Sequence, residues 1–406
     1  MNLQWLKFAV LNTLRNRRRS LVTVSIAALG TASILLAGGF AIFTYDALAQ
    51  SSARNTGHLI VGKPEQFTKD EATPLEHGLD HFDVLKAKLL ADPDVRAVLP
   101  KVEFSGLISN GDKSTVMMAV GVSPDDEFSV KGPFLKIKGG EVLSGGNTAS
   151  LQIMLGEALA KSLNAKPGSS LTLLASTTDG ALNAMDVQVK GIFSTGIPEI
   201  DKRLVYTDVL TAQKLLNTQR VSSLGVFLNR MDLTLPAQAR IAAAEPSLMV
   251  QTWVDQASFY QNVKALYNRI FGALGIIIGV IVVFVVTNAM AMAIIERTRE
   301  IGTLRAMGTL PGQLLRTLAL EGMVLGGAGA VLGAAIALAT SVLLYLFPVQ
   351  MPPPPGRSSG YPLNIAIDPS LYVLTLVAMV GLAMLASALV ARKTVHQPVV
   401  NALAHT

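Results

Sequence analysis

The sequence predicts a membrane protein with four transmembrane α-helices and one large extracytoplasmic domain of mixed α and β structure. Half of its 406 residues are hydrophobic and only 15% are charged, whereas soluble domains carry about a quarter charged residues. Four segments have no charged residue over more than 20 positions: Ser20–Tyr45, Ile270–Ile295, Gly322–Phe347 and Pro369–Ala391. Because about 20 helical residues cross a hydrocarbon core about 30 Å thick, each segment can span a bilayer.

The expected organisation follows from these four spans. It is, in chain order, a cytoplasmic amphipathic helix (1–20), the first span (21–45), an extracytoplasmic α+β domain (46–268), the second span (269–295), a cytoplasmic hinge (296–316), the third span (317–347), an external loop (348–368), the fourth span (369–391) and a cytoplasmic tail (392–406).

Positive charge is concentrated outside the large domain. The whole chain carries a net charge of +6, yet residues 46–269 contain 22 Lys and Arg against 24 Asp and Glu. Residues 1–20 contain five basic residues and no acid, and the hinge contains four basic and two acidic residues. Cytoplasmic segments of membrane proteins are enriched in Lys and Arg. We therefore expect both termini and the hinge in the cytoplasm and the large domain outside it.

The tripeptide Ala-Leu-Ala at 47–49 offers an alternative, because it follows a basic segment and an apolar run as a signal-peptidase site does. A secretory apolar core has about 7–15 residues, whereas this run has about 24. Cleavage would also leave three spans and place the hinge or the tail on the wrong side. We expect an uncleaved first span.

The large domain alternates strand and helix signals. Strands are expected at HLIVG (58–62), STVMMAVGV (114–122), MDVQVKGIF (185–193), RLVYT (203–207), SLGVFL (223–228) and LMVQTW (248–253). Helices are expected at DHFDVLKAKLLAD (80–92), at the start of LGEALAKSLNAKPGSSLTLLA (155–175) and near 208–217 and 234–244. In the 155–175 segment, a Pro-Gly turn and then a further strand are expected after the helix. The helical stretch at 255–271 runs without a break into the second span, so one rigid helix would belong to both regions.

Signatures of catalysis are weak. GHLIVGKP (57–64) has P-loop spacing, but Pro64 stands where the Mg²⁺-binding hydroxyl belongs. His77 and His81 are four residues apart without an evident third metal ligand. Without cysteine, the chain has no thiol nucleophile or thiolate metal site. We therefore expect no enzyme activity, no directly bound cofactor or metal, and no nucleic-acid partner.

The spans carry small residues instead of charges. Ion-coupled carriers usually place ionisable groups within the membrane, and none is present in these segments. Glycines occur four residues apart, a spacing that permits close helix packing, although glycine is also simply common in spans. The candidate packing residues are Gly275, Gly279, Gly322, Gly326, Gly329 and Gly333.

The hinge has the pattern of a short amphipathic helix between two spans. A helix leaving the membrane at Ile295 presents four charged residues at the inner surface: Glu296, Arg297, Arg299 and Glu300. Ile301, Leu304 and Met307 then recur every three residues, which predicts an apolar stripe that can dock in a groove. Gly308 is expected to end this helix, and Thr309 with Pro311 to start the next. A solvated loop is the alternative.

The hinge sequence ERTREIGTLRAMG (296–308) resembles the E-R-x-R-E-I-G-x-x-R-A-x-G signature of the FtsX-like permeases of ABC transporters. LGEALAKSLNAKPGSSLTLL (155–174) is similar to a segment of the family's periplasmic core, with Ser169 where Asp is usual. ARKTVHQPVVNAL (391–403) is similar to the family's ending, with Thr394 and Asn401 at looser positions. The resemblance covers nearly the whole chain and implies a MacB-like periplasmic core between the first two spans.

The resemblance also implies partners in the bacterial inner membrane. The family's hinge docks on an ATPase, and this role would fall on Glu296, Arg299, Glu300, Ile301, Gly302, Leu304, Arg305 and Gly308, with Arg297 and Met307 beside them. A separate cytoplasmic ABC ATPase in two copies would bind ATP and Mg²⁺, and a second permease copy or a paralogue would complete the assembly.

Among the branches of this family, the separate ATPase and the chain length favour the lipoprotein-release branch, with a lipid or lipoprotein substrate and a periplasmic chaperone or adaptor. Two alternatives stay open at this stage. One is a tripartite efflux permease for drugs or peptides, and the other is a subunit that transmits force to a cell-wall hydrolase.

Overall fold

A computed structural model describes residues 13, 17–69, 71–131, 135–145, 151–296, 298–352 and 360–395. Most of the amphipathic helix expected over 1–20 lies outside the described residues. The same holds for residues 396–406 of the tail and for residues 353–359 of the external loop, which include three of its four consecutive prolines.

The described residues form helices of very unequal length, four of them long and apolar. The helices are α1 (Arg17–Thr56), α2 (Pro64–Thr68), α3 (Phe82–Leu90), α4 (Pro124–Lys131), α5 (Glu157–Ser162), α6 (Pro198–Asp201), α7 (Val209–Leu216), α8 (Thr234–Ala244), α9 (Trp253–Gln256), α10 (Ser258–Glu296), α11 (Thr298–Ala306), α12 (Pro311–Leu346) and α13 (Pro369–Val395). The strands are β1 (Leu59–Gly62), β2 (Val95–Ser109), β3 (Ser114–Val122), β4 (Lys136–Gly140), β5 (Gln152–Gly156), β6 (Ser170–Ser176), β7 (Leu182–Ser194), β8 (Leu204–Asp208), β9 (Ser223–Leu228), β10 (Met249–Thr252), β11 (Gln350–Met351) and β12 (Tyr361–Pro362).

The chain divides into two compact units. The membrane unit comprises Met1–Asp46, Asn262–Gln350 and Pro362–Thr406, and the outer unit comprises Ala47–Gln261 and Met351–Tyr361. Four helices are long and apolar enough to cross a bilayer, over Ser20–Thr56, Ser258–Glu296, Pro311–Leu346 and Pro369–Arg392. The predicted fold class, four apolar helices plus an α+β domain, is confirmed.

In the membrane unit, apolar side chains of the four long helices share one core. Its buried members include Val282 and Met290 of α10, Leu318 of α12 and Met379 and Ala383 of α13. Near one end of this unit, α1 and α10 are joined by aromatic contacts through Tyr45 and Tyr267, and the Tyr45 hydroxyl donates a hydrogen bond to Asn268 Oδ1 at 2.8 Å.

The outer unit is built on a ten-stranded sheet in the order β10-β1-β9-β2-β3-β8-β5-β7-β4, with β6 pairing with β2 and β7. Only the β3–β8 and β5–β7 pairs are parallel, and the other ladders are antiparallel. Helix α7 packs into the core through Ala212, Leu215 and Leu216, each fully buried. Its N-terminus is capped by Asp208, whose Oδ1 accepts a hydrogen bond from the Thr211 amide at 2.8 Å.

The predicted strands at 58–62, 114–122, 185–193, 203–207, 223–228 and 248–253 and the predicted helices of the outer domain are all present within a few residues. Five strands were not expected: β2, β4 and β5 in the large sheet, and the two-residue strands β11 and β12 in the external loop. Of the segment 255–271, residues 258–271 lie in α10, which is one helix from Ser258 to Glu296. Asp255 and Gln256 belong to the short helix α9, and Ala257 separates the two helices. The continuity predicted into the second span is therefore found from Ser258 onward.

Candidate coupling surface

The hinge contains helix α11, which is followed by a short connection of defined backbone geometry. Gly308 adopts a φ of +96°, in the left-handed region that favours glycine. Its amide donates to the Arg305 carbonyl at 3.0 Å, and the Thr309 amide donates to the Leu304 carbonyl at 3.1 Å. These two bonds form a Schellman motif, which satisfies the last carbonyls of α11. Helix α12 then begins at Pro311, as Pro at a first helical position favours.

The three apolar side chains of the stripe predicted in the hinge are not all exposed on one side. Ile301 is 6% exposed and belongs to the core of the membrane unit, together with Ile294, Leu314 and Leu318. Leu304 and Met307 are 36% and 75% exposed. The prediction that Ile301 shares an accessible stripe with Leu304 and Met307 is wrong, because a three-residue spacing drifts around the helix and the bundle covers one side of it.

The accessible apolar patch extends instead to the connection that follows. Leu310, which the sequence interpretation left aside, is 63% exposed between α11 and α12. We call Leu304, Met307 and Leu310 the hinge surface. Gly302 is buried on the same helix as Ile301. Helix α11 thus contributes Ile301 to the bundle core and Leu304 to the hinge surface, and Met307 and Leu310 come from the connection that follows it.

The hinge also contains charged residues. Glu296 and Glu300 are exposed and Arg305 is half-buried. Arg297 lies outside the described residues, and only the backbone of Arg299 is described. An apolar centre with charged residues at its edge is the general anatomy of a protein interface.

Four of the six predicted packing glycines lie in close helix contacts. A Cβ on Gly326 would stand 2.3 Å from the Ala383 Cβ, and one on Gly333 would stand 2.4 Å from the Ala28 carbonyl oxygen. Gly322 and Gly329 are equally close to α13 and α1, respectively. Gly275 has no neighbour within 4 Å, and Gly279 has only an ordinary contact at 3.6 Å. The close packing predicted for the Gly275/Gly279 pair is therefore not found among the described residues.

Two motifs considered for chemistry have structural surroundings. Lys63, at the P-loop-like spacing, follows the buried strand β1 and forms an ion pair with Asp80 at 3.0 Å. The same carboxylate accepts a hydrogen bond from Arg220 Nε at 2.7 Å, and these two contacts lower the pKa of Asp80. No group of three or more potential metal ligands occurs among the residues that the structure describes, which include His77 and His81.

The sequence interpretation missed a buried ion pair in the outer unit. Lys131 pairs with Glu127 on α4, and both side chains are almost fully buried. The Lys131 ammonium also donates to the Asn55 carbonyl at 2.8 Å, and burial lowers its pKa. The four-residue spacing of the two charges was visible in the sequence. Their burial was not, because it depends on how α4 packs against α1 and β9.

Comparison with known families gives two matches that together span most of the chain. The family described as MacB-like periplasmic core domain matches residues 20–248, and the family described as FtsX-like permease C-terminal matches residues 272–399. The first match alone covers more than half of the chain. The first match contains most of the predicted α+β domain. The second match contains the hinge and most of the last three apolar helices.

Curated relatives are similar over about three fifths to two thirds of the chain. The lipoprotein-releasing system transmembrane protein LolE of Haemophilus influenzae is 25% identical over 67% of this chain and 67% of its own length. A LolC protein of that system from Xylella fastidiosa is 26% identical over 61% of each chain. The macrolide export ATP-binding/permease protein MacB 2 of Aeromonas hydrophila is 23% identical over 64% of this chain and 40% of its own. The periplasmic region of MacB from Actinobacillus actinomycetemcomitans aligns with 51% of this chain and 94% of its own, at 15% identity and a TM-score of 0.37.

Proposed function

This chain belongs to the FtsX-like ABC-transporter permeases that carry a MacB-like periplasmic core domain, and from that premise we propose that it couples a separate cytoplasmic ATPase to the movement of a lipophilic substrate such as a lipoprotein. The observation that carries the coupling is the hinge surface, an exposed apolar patch on a rigid turn between two apolar helices. The relatives named as lipoprotein-releasing proteins support the substrate class.

The hinge is suited to receive force because one side of α11 is exposed and the other is buried in the membrane unit. An ATPase that grips Leu304, Met307 and Leu310 would hold α11 on its exposed side. Ile301 on the same helix is embedded in the core of the membrane unit. Close-packed cores transmit small displacements instead of absorbing them. A push on α11 would therefore move the packed ends of α10 and α12.

The orientation follows from charge. The basic residues of the hinge and of residues 1–20 support an orientation with both segments at the cytoplasmic face of the inner membrane, both termini inside and the outer unit in the periplasm. An ATPase dimer has two permease-binding sites. Two copies of this chain, or one copy with a paralogue, would fill them, and ATP and Mg²⁺ would be bound by the ATPase alone.

Helix length supports transmission beyond the bilayer. Helix α1 has 40 residues and α10 has 39, and at 1.5 Å per residue each is about 60 Å long, roughly twice the thickness of a hydrocarbon core. The Tyr45–Tyr267 and Tyr45–Asn268 contacts join these two helices within the membrane unit. We propose that α1 and α10 move together when the hinge is displaced.

The energetics of lipid extraction explain why such a substrate needs ATP. Each methylene moved from a bilayer into water costs about 0.8 kcal/mol. Three acyl chains of about 16 carbons would cost on the order of 40 kcal/mol if they were fully exposed to water. An extraction machine must therefore supply work and also shelter the chains. Spans without charged residues would suit such cargo.

Reconstitution tests this proposal directly. Proteoliposomes would contain the chain, its ATPase and any paralogous permease, together with a fluorescent triacylated lipoprotein. We expect ATP-dependent transfer of the lipoprotein to a soluble acceptor, and no transfer of a control protein that lacks the acyl chains. The alternative functions give other results. Stimulation of ATPase by a periplasmic adaptor without lipoprotein transfer would identify an efflux permease. Activation of a bound cell-wall hydrolase without transfer would identify a force-transmitting subunit.

A further inference from the structure

A basic cavity of about 360 Å³ lies within the outer unit, where the end of α1 meets α4 and β9. Among the described residues, its lining includes Arg54, His58, Arg96 and Lys131 and contains no Asp or Glu. Apart from Gln50, the other lining residues are apolar and include Ala53, Val130 and Phe227, so polar and apolar surfaces are about equal. A few convergent polar groups beside apolar side chains are typical of a small-molecule site, and this volume is near the lower end of the usual range.

A β-bulge places Arg96 at this cavity. On β2, Val95 pairs with Leu228 and Ala97 with Phe227, so Arg96 is the additional residue on its strand. Bulges redirect a side chain and interrupt the hydrogen-bond ladder, and they are frequent beside functional sites. The Arg96 guanidinium is fixed here by donating from Nη2 to the Val130 carbonyl at 2.6 Å. The two residues opposite the bulge, Phe227 and Leu228, also line the cavity.

The Leu228 amide is satisfied by His58, whose Nδ1 accepts its hydrogen bond at 3.1 Å. Burial, followed by the charge of Arg96, lowers the pKa of His58. A neutral imidazole that accepts at Nδ1 carries its proton on Nε2, so His58 can serve as a hydrogen-bond donor without adding charge. The bulge, the histidine and the arginine therefore form one connected arrangement.

The four basic residues do not contribute equal charge. The ammonium of Lys131 is compensated by Glu127 and bound by the Asn55 carbonyl, and it lies 5.9 Å from the centre of the Phe227 ring. Lys131 thus forms part of a fixed wall. Arg54, in the last turn of α1, and Arg96 supply positive charge for a ligand. Guanidinium groups present several N–H donors in a plane and bind oxyanions in a bidentate manner.

We propose that this cavity binds a phosphate group that carries a small organic substituent, with Arg54 and Arg96 binding the oxyanion and His58 donating a further hydrogen bond. The cavity is much larger than one phosphate, and its apolar wall leaves room for a substituent the size of glycerol. The phosphate can come from a soluble phosphate ester or from the headgroup of a lipid. This inference goes beyond the proposed transport function and does not depend on it.

Calorimetric titration of the purified full-length chain in a nonionic detergent tests the proposal. The probes are inorganic phosphate, sn-glycerol 3-phosphate and dihexanoyl phosphatidylglycerol. We expect saturable binding of at least one organic phosphate, weakened about tenfold or more by Arg54→Gln or Arg96→Gln, because a hydrogen bond to a charged group accounts for about one factor of ten or more in affinity. Stronger binding of glycerol phosphate indicates a soluble ester, and stronger binding of the lipid indicates a headgroup.

Arg230→Gln is the matched control. It removes the same charge from an arginine of the outer unit that pairs with Asp232 and does not line the cavity. Emission of Trp253, which is buried in the outer unit, reports whether each variant unfolds at the same temperature as the parent, in a Trp5→Phe background. If a glutamine variant unfolds at a lower temperature than the parent, the corresponding lysine variant, Arg54→Lys or Arg96→Lys, takes its place in the binding comparison. Lysine keeps the positive charge but lacks the planar set of N–H donors. Absence of binding by all three probes would overturn the proposal, as would equal weakening by Arg230→Gln.

Discussion

Replacing the exposed apolar side chains of the hinge surface is expected to release the ATPase without unfolding the membrane unit. The variant is Leu304→Asp with Met307→Asp. Fully burying a Leu or Met side chain contributes about 1.5–3 kcal/mol. Weighted by the exposed fractions of 36% and 75%, the two side chains can contribute roughly 2 to 3 kcal/mol on binding, which corresponds to a roughly 30- to 150-fold change in affinity.

The assay is binding of the purified ATPase to the full chain in nanodiscs, in the presence of a non-hydrolysable ATP analogue. Thr303→Asp is the control for added charge. Thr303 is exposed on the same helix, and its replacement removes little apolar area. We expect this control to bind the ATPase nearly as the parent chain does. Thermal unfolding of each variant in detergent must match the parent within about 0.5 kcal/mol, as is usual for surface substitutions.

Ile301→Asp gives the contrasting result. Ile301 is packed in the core of the membrane unit, so a carboxylate there is buried without a partner and should lower stability severely. A binding defect in that variant would therefore reflect misfolding. If the Leu304/Met307 double variant remains folded and binds the ATPase within twofold of the parent, the hinge surface is not where the ATPase docks.

The remaining predictions concern packing and buried charge. Gly333→Ala should destabilise the membrane unit by about 1–3 kcal/mol because its Cβ meets backbone, whereas Gly275→Ala, with open space around it, should change unfolding in detergent by less than about 0.5 kcal/mol. The lowered pKa of His58 means that the unfolded chain binds a proton more readily. The outer unit should therefore lose stability as pH falls through the ordinary histidine pKa of about 6.5 and stop losing it below the folded pKa, and His58→Asn should reduce this dependence in Trp253-monitored melts. Lys131→Met leaves Glu127 buried and unpaired and should cost about 3–5 kcal/mol, and adding Glu127→Leu should restore most of the loss.

The sequence predicted those elements well whose structure depends on residues close together in the chain. Helix α7 has a capping Asp208 and a one-sided set of apolar residues, and both act within eight residues. The four spans are predicted by length and hydrophobicity alone. Strand β2 was missed because it is defined by distant partners. Its first half pairs with β9 and its second half with β3 and β6, and Pro100 and Lys101 in its middle weaken the local strand signal.

In the hinge too, local sequence predicted the backbone turns but not which side chains are buried. The hinge motif identified the correct turn, and Gly308 and Pro311 fixed its ends, because left-handed backbone and a first helical position each select one residue type. Periodicity could not tell that Ile301 faces the bundle while Met307 faces away. Likewise, glycine spacing was the same in Gly275/Gly279 and Gly329/Gly333, yet of these two pairs only the second lies in close contact with another helix among the described residues.

The division of α11 into a buried side and an exposed side bears on how a coupling element can work. A helix that presented Ile301, Leu304 and Met307 to a partner would have little hold on its own bundle, and the partner could rotate it without effect. With Ile301 buried in the core, rotation of α11 requires repacking of α10 and α12, which a close-packed interior resists. At the C-terminal end of α11, the hydrogen bonds of the Schellman motif at Gly308 fix the backbone of the connection to α12. We therefore expect displacement of α11 to pass into the membrane unit, which is the property that the proposed coupling to an external ATPase needs.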